Sequence, residues 1–262
     1  MSSDASVRIH ALRCGGDICD WAIFDPFDPR AGTKVEDPYF VYVVRHPDGI
    51  VMLDSGAHPD LATDPRARFG DDADDFEVVL SPADRIDRRL ATIGLRPSDI
   101  DMVIQSHLHF DHAGCLYLFP GTPVMVQREE LAWAKDPPVY QRSVYVADDF
   151  AGVSRWVEID GDHDVFGDGR VVVLSTPGHT KGHQSLLVRT DSQVVILLAD
   201  AAYLLEKMRR RLLPGLLWSP DAMVASWDRI EALEREHDAF LIATHDLDYA
   251  ERIKVAPADW YE

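Results

Sequence analysis

Residues 105–114 read Gln-Ser-His-Leu-His-Phe-Asp-His-Ala-Gly, placing three imidazoles and one carboxylate within six positions. A lone histidine is ordinarily a surface or hydrogen-bonded core residue. Three in an otherwise apolar turn destabilise it unless something satisfies their nitrogens. With the chain extended, His107 and His109 point the same way. Once it turns into a helix, Asp111 and His112 come around, so the four groups converge about two neighbouring points. Zinc suits that mixture of imidazole and carboxylate.

The flanking sequence indicates how such a cluster is delivered. Ile100–Gln105 reads as a short strand ending at the histidines. Upstream, Val7–Leu12, Tyr39–Arg45 and Ile50–Asp54 read as strands, the last two joined by a Pro-Asp-Gly turn at 47–49. Ser81-Pro82 opens a helical pattern with Ile86, Leu90 and Ile93 on one face, closed by Gly94. Downstream, Val124–Val126 is a strand, Arg128–Ala134 a helix, and 135–155 a long irregular stretch. Arg170–Leu174, Ser185–Val188, Val194–Ala199 and Phe240–Ala243 are strand runs, and Pro220–Arg235 is helical. Strands interspersed with helices, without repeats or a linker, predict an α/β protein folded as one domain over 1–262.

Charge narrows the partners. Lys and Arg total 26 against 45 Asp and Glu, a net charge of −19, so phosphate backbones and anionic headgroups are repelled. Nucleic acid and membrane are therefore not expected partners. No run of about 18 apolar residues reads as a membrane span, and the start lacks a basic segment followed by an apolar one, so a cytoplasmic protein is expected. Cys14, Cys19 and Cys115 form no disulfide framework and read as small buried hydrophobes.

One cluster does not complete two coordination spheres. Three further polar residues follow apolar strand runs: His179 in Thr-Pro-Gly-His-Thr, Asp200 after Val194–Ala199, and His245 after Phe240–Thr244. Each alone is an ordinary loop residue. Their shared place at strand carboxyl ends, where sites of layered α/β proteins collect, makes them candidate ligands.

The motif His-x-His-x-Asp-His, followed by a distant His, Asp and His, resembles the metallo-β-lactamase superfamily over nearly the whole chain. The resemblance implies a four-layer αββα sandwich holding two Zn2+ per chain. One zinc would take His107, His109 and His179, the other Asp111, His112 and His245, with Asp200 bridging them. Asp54 would orient a ligand histidine. Within that superfamily the chain is most similar to the N-acyl-homoserine lactone lactonases, which degrade quorum-sensing signals. The segments that carry this are Ser106–Gly114, Thr176–Thr180 with Gly182–Ser185, and Asp200 with Tyr203 three residues on. Where that family commonly has Gly-Gly, this chain has Gly114-Cys115.

The implied substrate is a small-molecule lactone, and relatives suggest a homodimer. Water held between two zincs loses its proton near neutral pH and becomes the nucleophile. The catalytic assignments are Tyr203, steadying the developing oxyanion, and Asp111, moving a proton to the departing alkoxide. For an acyl chain, Tyr140, Phe150, Trp156, Leu212, Leu213, Leu216, Leu217 and Trp218 are candidate walls, each equally readable as core. Lys207, Arg209, Arg210 and Arg211 form a basic island, read as a solvated helical face rather than a carboxylate site. His183 reads as a supporting residue, and His10, His46, His58, His163 and His237 receive no role.

Rival readings share the cage: a hydrolase of pyridoxolactone-like or aliphatic lactones, a glyoxalase-II-like thioester hydrolase, and a non-catalytic metal-binding module. An exported β-lactamase would carry cysteine where Asp200 stands, and a diiron enzyme glutamate in place of His109. A nuclease conflicts with the charge.

Overall fold

In strand β2 (Lys34–His46), Phe40, Tyr42 and Val44 are buried on one face and Tyr39, Val41 and Val43 on the other, so the strand has no solvent side. Side chains alternate across a strand, so burial of both sets requires a layer on each face. A computed structural model of the chain, describing residues 6–246 and 252–262, provides those layers.

The first sheet combines β1 (Arg8–Asp20), β2, β3 (Gly49–Leu53), β4 (Val78–Val79), β5 (Met102–Ile104), β6 (Val124–Gln127) and β7 (Trp156–Ile159) in the order β4-β1-β2-β3-β5-β6-β7. The second combines β8 (His163–Asp164), β9 (Val171–Ser175), β10 (Gln184–Arg189), β11 (Val194–Leu197) and β12 (Phe240–Ile242) in the order β12-β11-β10-β9-β8. Between the sheets lies one core, with Ile9, Tyr42, Leu53 and Ile104 meeting Val173, Leu186, Leu197 and Ile242.

Outside the first sheet pack α1 (Pro65–Phe69), α2 (Ile86–Thr92), α3 (Phe110–Ala113), α4 (Arg128–Lys135) and α5 (Ala147–Ala151), through Leu12, Val43, Leu90 and Leu131. Outside the second pack α6 (Leu205–Arg209) and α7 (Pro220–His237), through Met208, Met223, Trp227 and Ile230. The result is the expected αββα arrangement. No helix among the described residues is long and apolar enough to cross a membrane.

Several element boundaries differ from expectation. The helix predicted from Ser81-Pro82 begins only at Ile86, because the Asp84 carboxylate accepts the Ser81 N–H at 2.7 Å and fixes a turn. The first strand runs on from Leu12 to Asp20 through an irregularity in its pairing between Arg13 and Gly16. The stretch 135–155 holds a short turn at Arg142–Val144 and helix α5.

Candidate metal centre

Strands β3, β5 and β6 are parallel, as are β11 and β12, and the chain leaves several of them at one edge of the sandwich. Two residues past β5 comes Ser106, then His107 and His109; α3 then turns Asp111 and His112 inward. His179 follows β9, Asp200 follows β11 and His245 follows β12. At two of these exits the backbone is forced: Asp54, after β3, and Ala199, just before Asp200, have φ of 65° and 45°. Left-handed backbone at non-glycine residues costs on the order of 1–3 kcal/mol and recurs where function fixes the geometry.

The seven expected ligands come together. His179 Nε2 lies 3.2 Å from His107 Nε2 and 3.0 Å from His109 Nδ1. His112 Nε2 lies 2.8 Å from Asp111 Oδ2, and His245 Nε2 lies 3.7 Å from the same oxygen. Between the two groups sits Asp200: Oδ1 is 3.0 Å from His245 Nε2 and 3.3 Å from His112 Nε2, and Oδ2 is 3.3 Å from His179 Nε2. Donor atoms of His107, His109 and His179 lie within 4.8 Å of one another, as do those of Asp111, His112 and His245. His112 Nε2 is buried beside the Asp111 and Asp200 carboxylates yet closes no hydrogen bond, and His107 Nε2, His109 Nδ1 and His179 Nε2 face one another. Buried nitrogens of that kind within a nitrogen and oxygen donor set fit a zinc-type cation as their missing partner.

The far side of four of these imidazoles is fixed. His112 Nδ1 meets Asp54 Oδ2 at 2.8 Å, and Asp54 in turn accepts the Ser106 N–H and hydroxyl at 2.7 and 2.8 Å. His245 Nδ1 meets Asp37 Oδ1 at 2.7 Å, His179 Nδ1 meets the Leu216 carbonyl at 3.2 Å, and His107 Nδ1 meets Ser106 Oγ at 3.0 Å. Such partners set the tautomer that turns Nε2 toward a cation. His183 Nε2 accepts the Asp200 N–H at 3.1 Å, a supporting place that agrees with its sequence reading.

Asp37, Ser106 and Glu130 were not singled out in the sequence. Glu130 is fully buried on α4 and accepts from Leu108 N, Thr180 Oγ1, Gly182 N and Tyr145 Oη, so one carboxylate ties the His107–His109 loop to the loop after His179. Its signal was present: Glu130 shares the buried stripe of α4 with Leu131 and Ala134, where a charged residue needs several donors.

Burial makes protonation of His107 and His109 costly and holds both well below the usual histidine range. At His112 and His245 burial acts the same way, but neighbouring carboxylates, Asp111 for His112 and Asp37 for His245, outweigh it and raise them. Burial works against ionisation of Asp200 too, yet His245 and His112 hold its carboxyl well below the ordinary carboxylate range. Burial raises the Tyr203 phenol far above its usual value, so the hydroxyl keeps its proton.

A cavity of about 450 Å³ opens onto His109, Asp111, Asp200, Tyr203 and His245. Its apolar wall includes Ile18, Ile23, Phe76, Phe110, Val144 and Leu216. Of the walls expected from sequence, only Leu216 lies here. Phe150 and Trp156 belong to the core outside the first sheet, Tyr140 is exposed, Trp218 packs on Trp133, and Leu212, Leu213 and Leu217 line a different depression. Apolarity along the chain does not reveal which loop folds over the ligands.

The reading of the basic island as a solvated face is corrected at Lys207. Lys207 is buried and paired with Asp25 and Asp28 at 2.8 and 2.6 Å rather than solvated. Arg209, Arg210 and Arg211 pair with Glu234, Glu206 and Glu231. Cys115 is buried, its thiol against the Ala57 carbonyl, and lies outside the ligand groups. His46 and His237, given no role from the sequence, meet Asp168 and Arg189.

The family model described as the metallo-beta-lactamase superfamily matches residues 35–245. An N-acyl homoserine lactonase named AttM, from Rhizobium radiobacter, is 35% identical over 232 residues, covering 86% of this chain and 88% of that protein. The N-acyl homoserine lactonase AiiA of Bacillus thuringiensis subsp. kurstaki is 30% identical over 229 residues, with the same coverage of 86% and 88%. A solved N-acyl homoserine lactone hydrolase, with the product N-hexanoyl-L-homoserine at its catalytic metal centre, superposes with a TM-score of 0.86 at 26% identity, covering 95% of this chain and 97% of that one.

Proposed function

The chain belongs to the metallo-beta-lactamase superfamily and, within it, to the N-acyl homoserine lactonases, and from that premise we propose that it hydrolyses the lactone ester of N-acyl homoserine lactones at a centre of two zinc ions. The observation that carries this is the pair of donor groups sharing Asp200. His107, His109 and His179 would hold one ion, Asp111, His112 and His245 the other, and Asp200 both. When bound, the ions polarise the lactone carbonyl and bring the pKa of bound water toward neutrality.

The remaining steps belong to side chains. Asp54 and Asp37 hold His112 and His245 with Nε2 turned inward. Tyr203, which lines the cavity and keeps its proton, donates a hydrogen bond to the lactone carbonyl oxygen as negative charge gathers there. Water adds to the carbonyl carbon, the ring C–O bond breaks, and the alkoxide takes a proton that Asp111 carries, leaving a carboxylate and an alcohol. Asp111 is the most open of the cage carboxylates, its side chain 12% exposed against 3% for Asp200. With the cations of the basic island all paired, recognition of a substrate carboxylate loses its obvious donor, which favours a neutral lactone.

The test is metal analysis joined to a pH-indicator assay with N-hexanoyl-homoserine lactone. Two zincs per chain are expected, with acid release that a chelator abolishes and added zinc restores. Tyr203→Phe is expected to lower kcat at unchanged zinc content, and Asp111→Asn to lower kcat together with the occupancy of the Asp111, His112 and His245 site. Full activity in a His107→Ala, His109→Ala double variant refutes the metal mechanism, and two zincs with no lactone, ester or thioester turnover favours a binding module.

A further inference from the structure

The pairing of β1 with β2 slips between Arg13 and Gly16. A slip of one residue turns over the faces on which side chains alternate, and such bulges re-aim side chains beside active sites. Upstream, the odd-numbered Ile9 and Ala11 face the core between the sheets. Downstream, Asp17 to Asp20 all border the cavity that holds His109, Asp111, Asp200, Tyr203 and His245, and the shifted register sets Asp17 opposite Asp37.

Asp17 stands directly opposite Asp37, the partner of His245, in the β1–β2 ladder. Like charges placed so are unfavourable. Asp17 is 9% exposed, and its Oδ1 is buried without a hydrogen-bond partner. The Tyr39 hydroxyl faces the same carboxyl and, with the charge of His245, offsets part of the cost, but it leaves Oδ1 without a partner. Buried polar atoms are nearly always paired, so an open acceptor in a cavity wall marks a place where a ligand supplies the donor.

A cation does not fit that place well. Asp37 Oδ1 is already engaged by His245, and burial holds the Cys19 thiol strongly in its protonated form. Burial, and next the Asp37 carboxylate, raise Asp17 above the usual carboxylate range, and in either protonation state the carboxyl keeps an oxygen that accepts a hydrogen bond. An N-acyl homoserine lactone carries a single N–H donor, on the carbon next to the lactone carbonyl. With that carbonyl at the cage, the N–H would lie in the same cavity, whose apolar wall of Ile23, Phe76, Val144 and Leu216 is open to the acyl chain.

We propose that Asp17 accepts the amide N–H of the substrate and is the residue that selects lactones bearing an α-amide over lactones without one; the proposal rests on the lactonase reading above. A site built around a substrate hydrogen bond discriminates strongly against the analogue lacking it, because its own buried group is then left unpaired.

The experiment compares N-hexanoyl-homoserine lactone with its oxygen isostere, α-hexanoyloxy-γ-butyrolactone, in which only the N–H is replaced. Ring opening is followed chromatographically with zinc-loaded wild type, Asp17→Leu and Asp17→Asn. Wild type is expected to favour the amide by at least about 10-fold in kcat/KM. Asp17→Leu is expected to bring that ratio near 1, and Asp17→Asn, which keeps a carbonyl acceptor, to hold it within about 3-fold of wild type. A Leu variant that keeps the ratio, an Asn variant that loses it as fully as Leu, or a wild type that treats both lactones alike overturns the proposal. A wild type that opens neither overturns the lactonase reading and this inference with it.

Discussion

Replacing Glu130 with alanine tests whether one buried carboxylate holds the two ligand loops together. The side chain has no exposure and accepts four hydrogen bonds: 3.0 Å from Leu108 N, 2.5 Å from Thr180 Oγ1, 3.2 Å from Gly182 N and 2.8 Å from Tyr145 Oη. The two hydroxyls can turn elsewhere. The two main-chain N–H groups cannot, and each buried donor without an acceptor costs about 1–3 kcal/mol, so roughly 4 kcal/mol is expected from them together. That is a large part of the roughly 5–15 kcal/mol by which a folded domain is stable. Glu130→Gln keeps one acceptor oxygen and removes one acceptor, so it is expected to cost about 1–2 kcal/mol. Urea unfolding of the zinc-loaded proteins, followed by circular dichroism, measures both. Because Leu108 lies between His107 and His109, and Thr180 follows His179, chelator competition is expected to show zinc held about 10–100-fold more weakly in the alanine variant. An alanine variant within about 1 kcal/mol of wild type, or a glutamine variant as damaged as alanine, refutes the clamp.

Three further outcomes follow from other contacts. Asp37→Leu removes the partner of His245 Nδ1 and is expected to weaken zinc by about 10–100-fold, most clearly for one of two sites in a calorimetric titration. Arg68→Ala strands Asp149, whose side chain is 1% exposed, and is expected to cost about 3–5 kcal/mol in the same urea assay. His10 is buried without a hydrogen-bond partner and is lowered by burial, then by Arg45 and Arg8, to about 4. Its folded value lies below the unfolded one, so the unfolded chain binds the proton first, and stability drops as pH falls from about 6.5 to about 4. On the order of 2 kcal/mol is expected to go over that window, and His10→Phe to flatten it; an unchanged pH slope in the variant removes the assignment.

Much of the candidate centre was legible because its chemistry is local in sequence. His107, His109, Asp111 and His112 occupy one strand-to-helix turn, so the strand and helix periods alone bring them together. His179, Asp200 and His245 follow apolar strand runs, and Asp200 with Tyr203 is a short-range pattern. The layers were legible for the same reason, since runs such as Val194–Leu197 are apolar at every position and demand cover on both faces.

What sequence left open depends on neighbours far apart in the chain. Asp37 supports His245 across 208 positions, and Glu130 reaches Gly182 across 52. Helix α6 carries Lys207 to Asp25 and Asp28, so an apparently solvated cation is buried and neutralised. The cavity wall passed from the expected Phe150, Trp156 and Trp218 to Ile23, Phe76 and Val144 because loop closure, not hydrophobicity, decides which side chains border a cleft. A single slip in the β1–β2 register set Asp17 opposite Asp37 beside the cavity. The sequence by itself pointed to the candidate metal-binding groups and to α/β layers, through periodicities a few residues long, while the four-layer arrangement and the paired ligand sets came from the family resemblance. Tertiary structure alone decided what surrounds those groups, because contacts between distant segments follow from strand order and register.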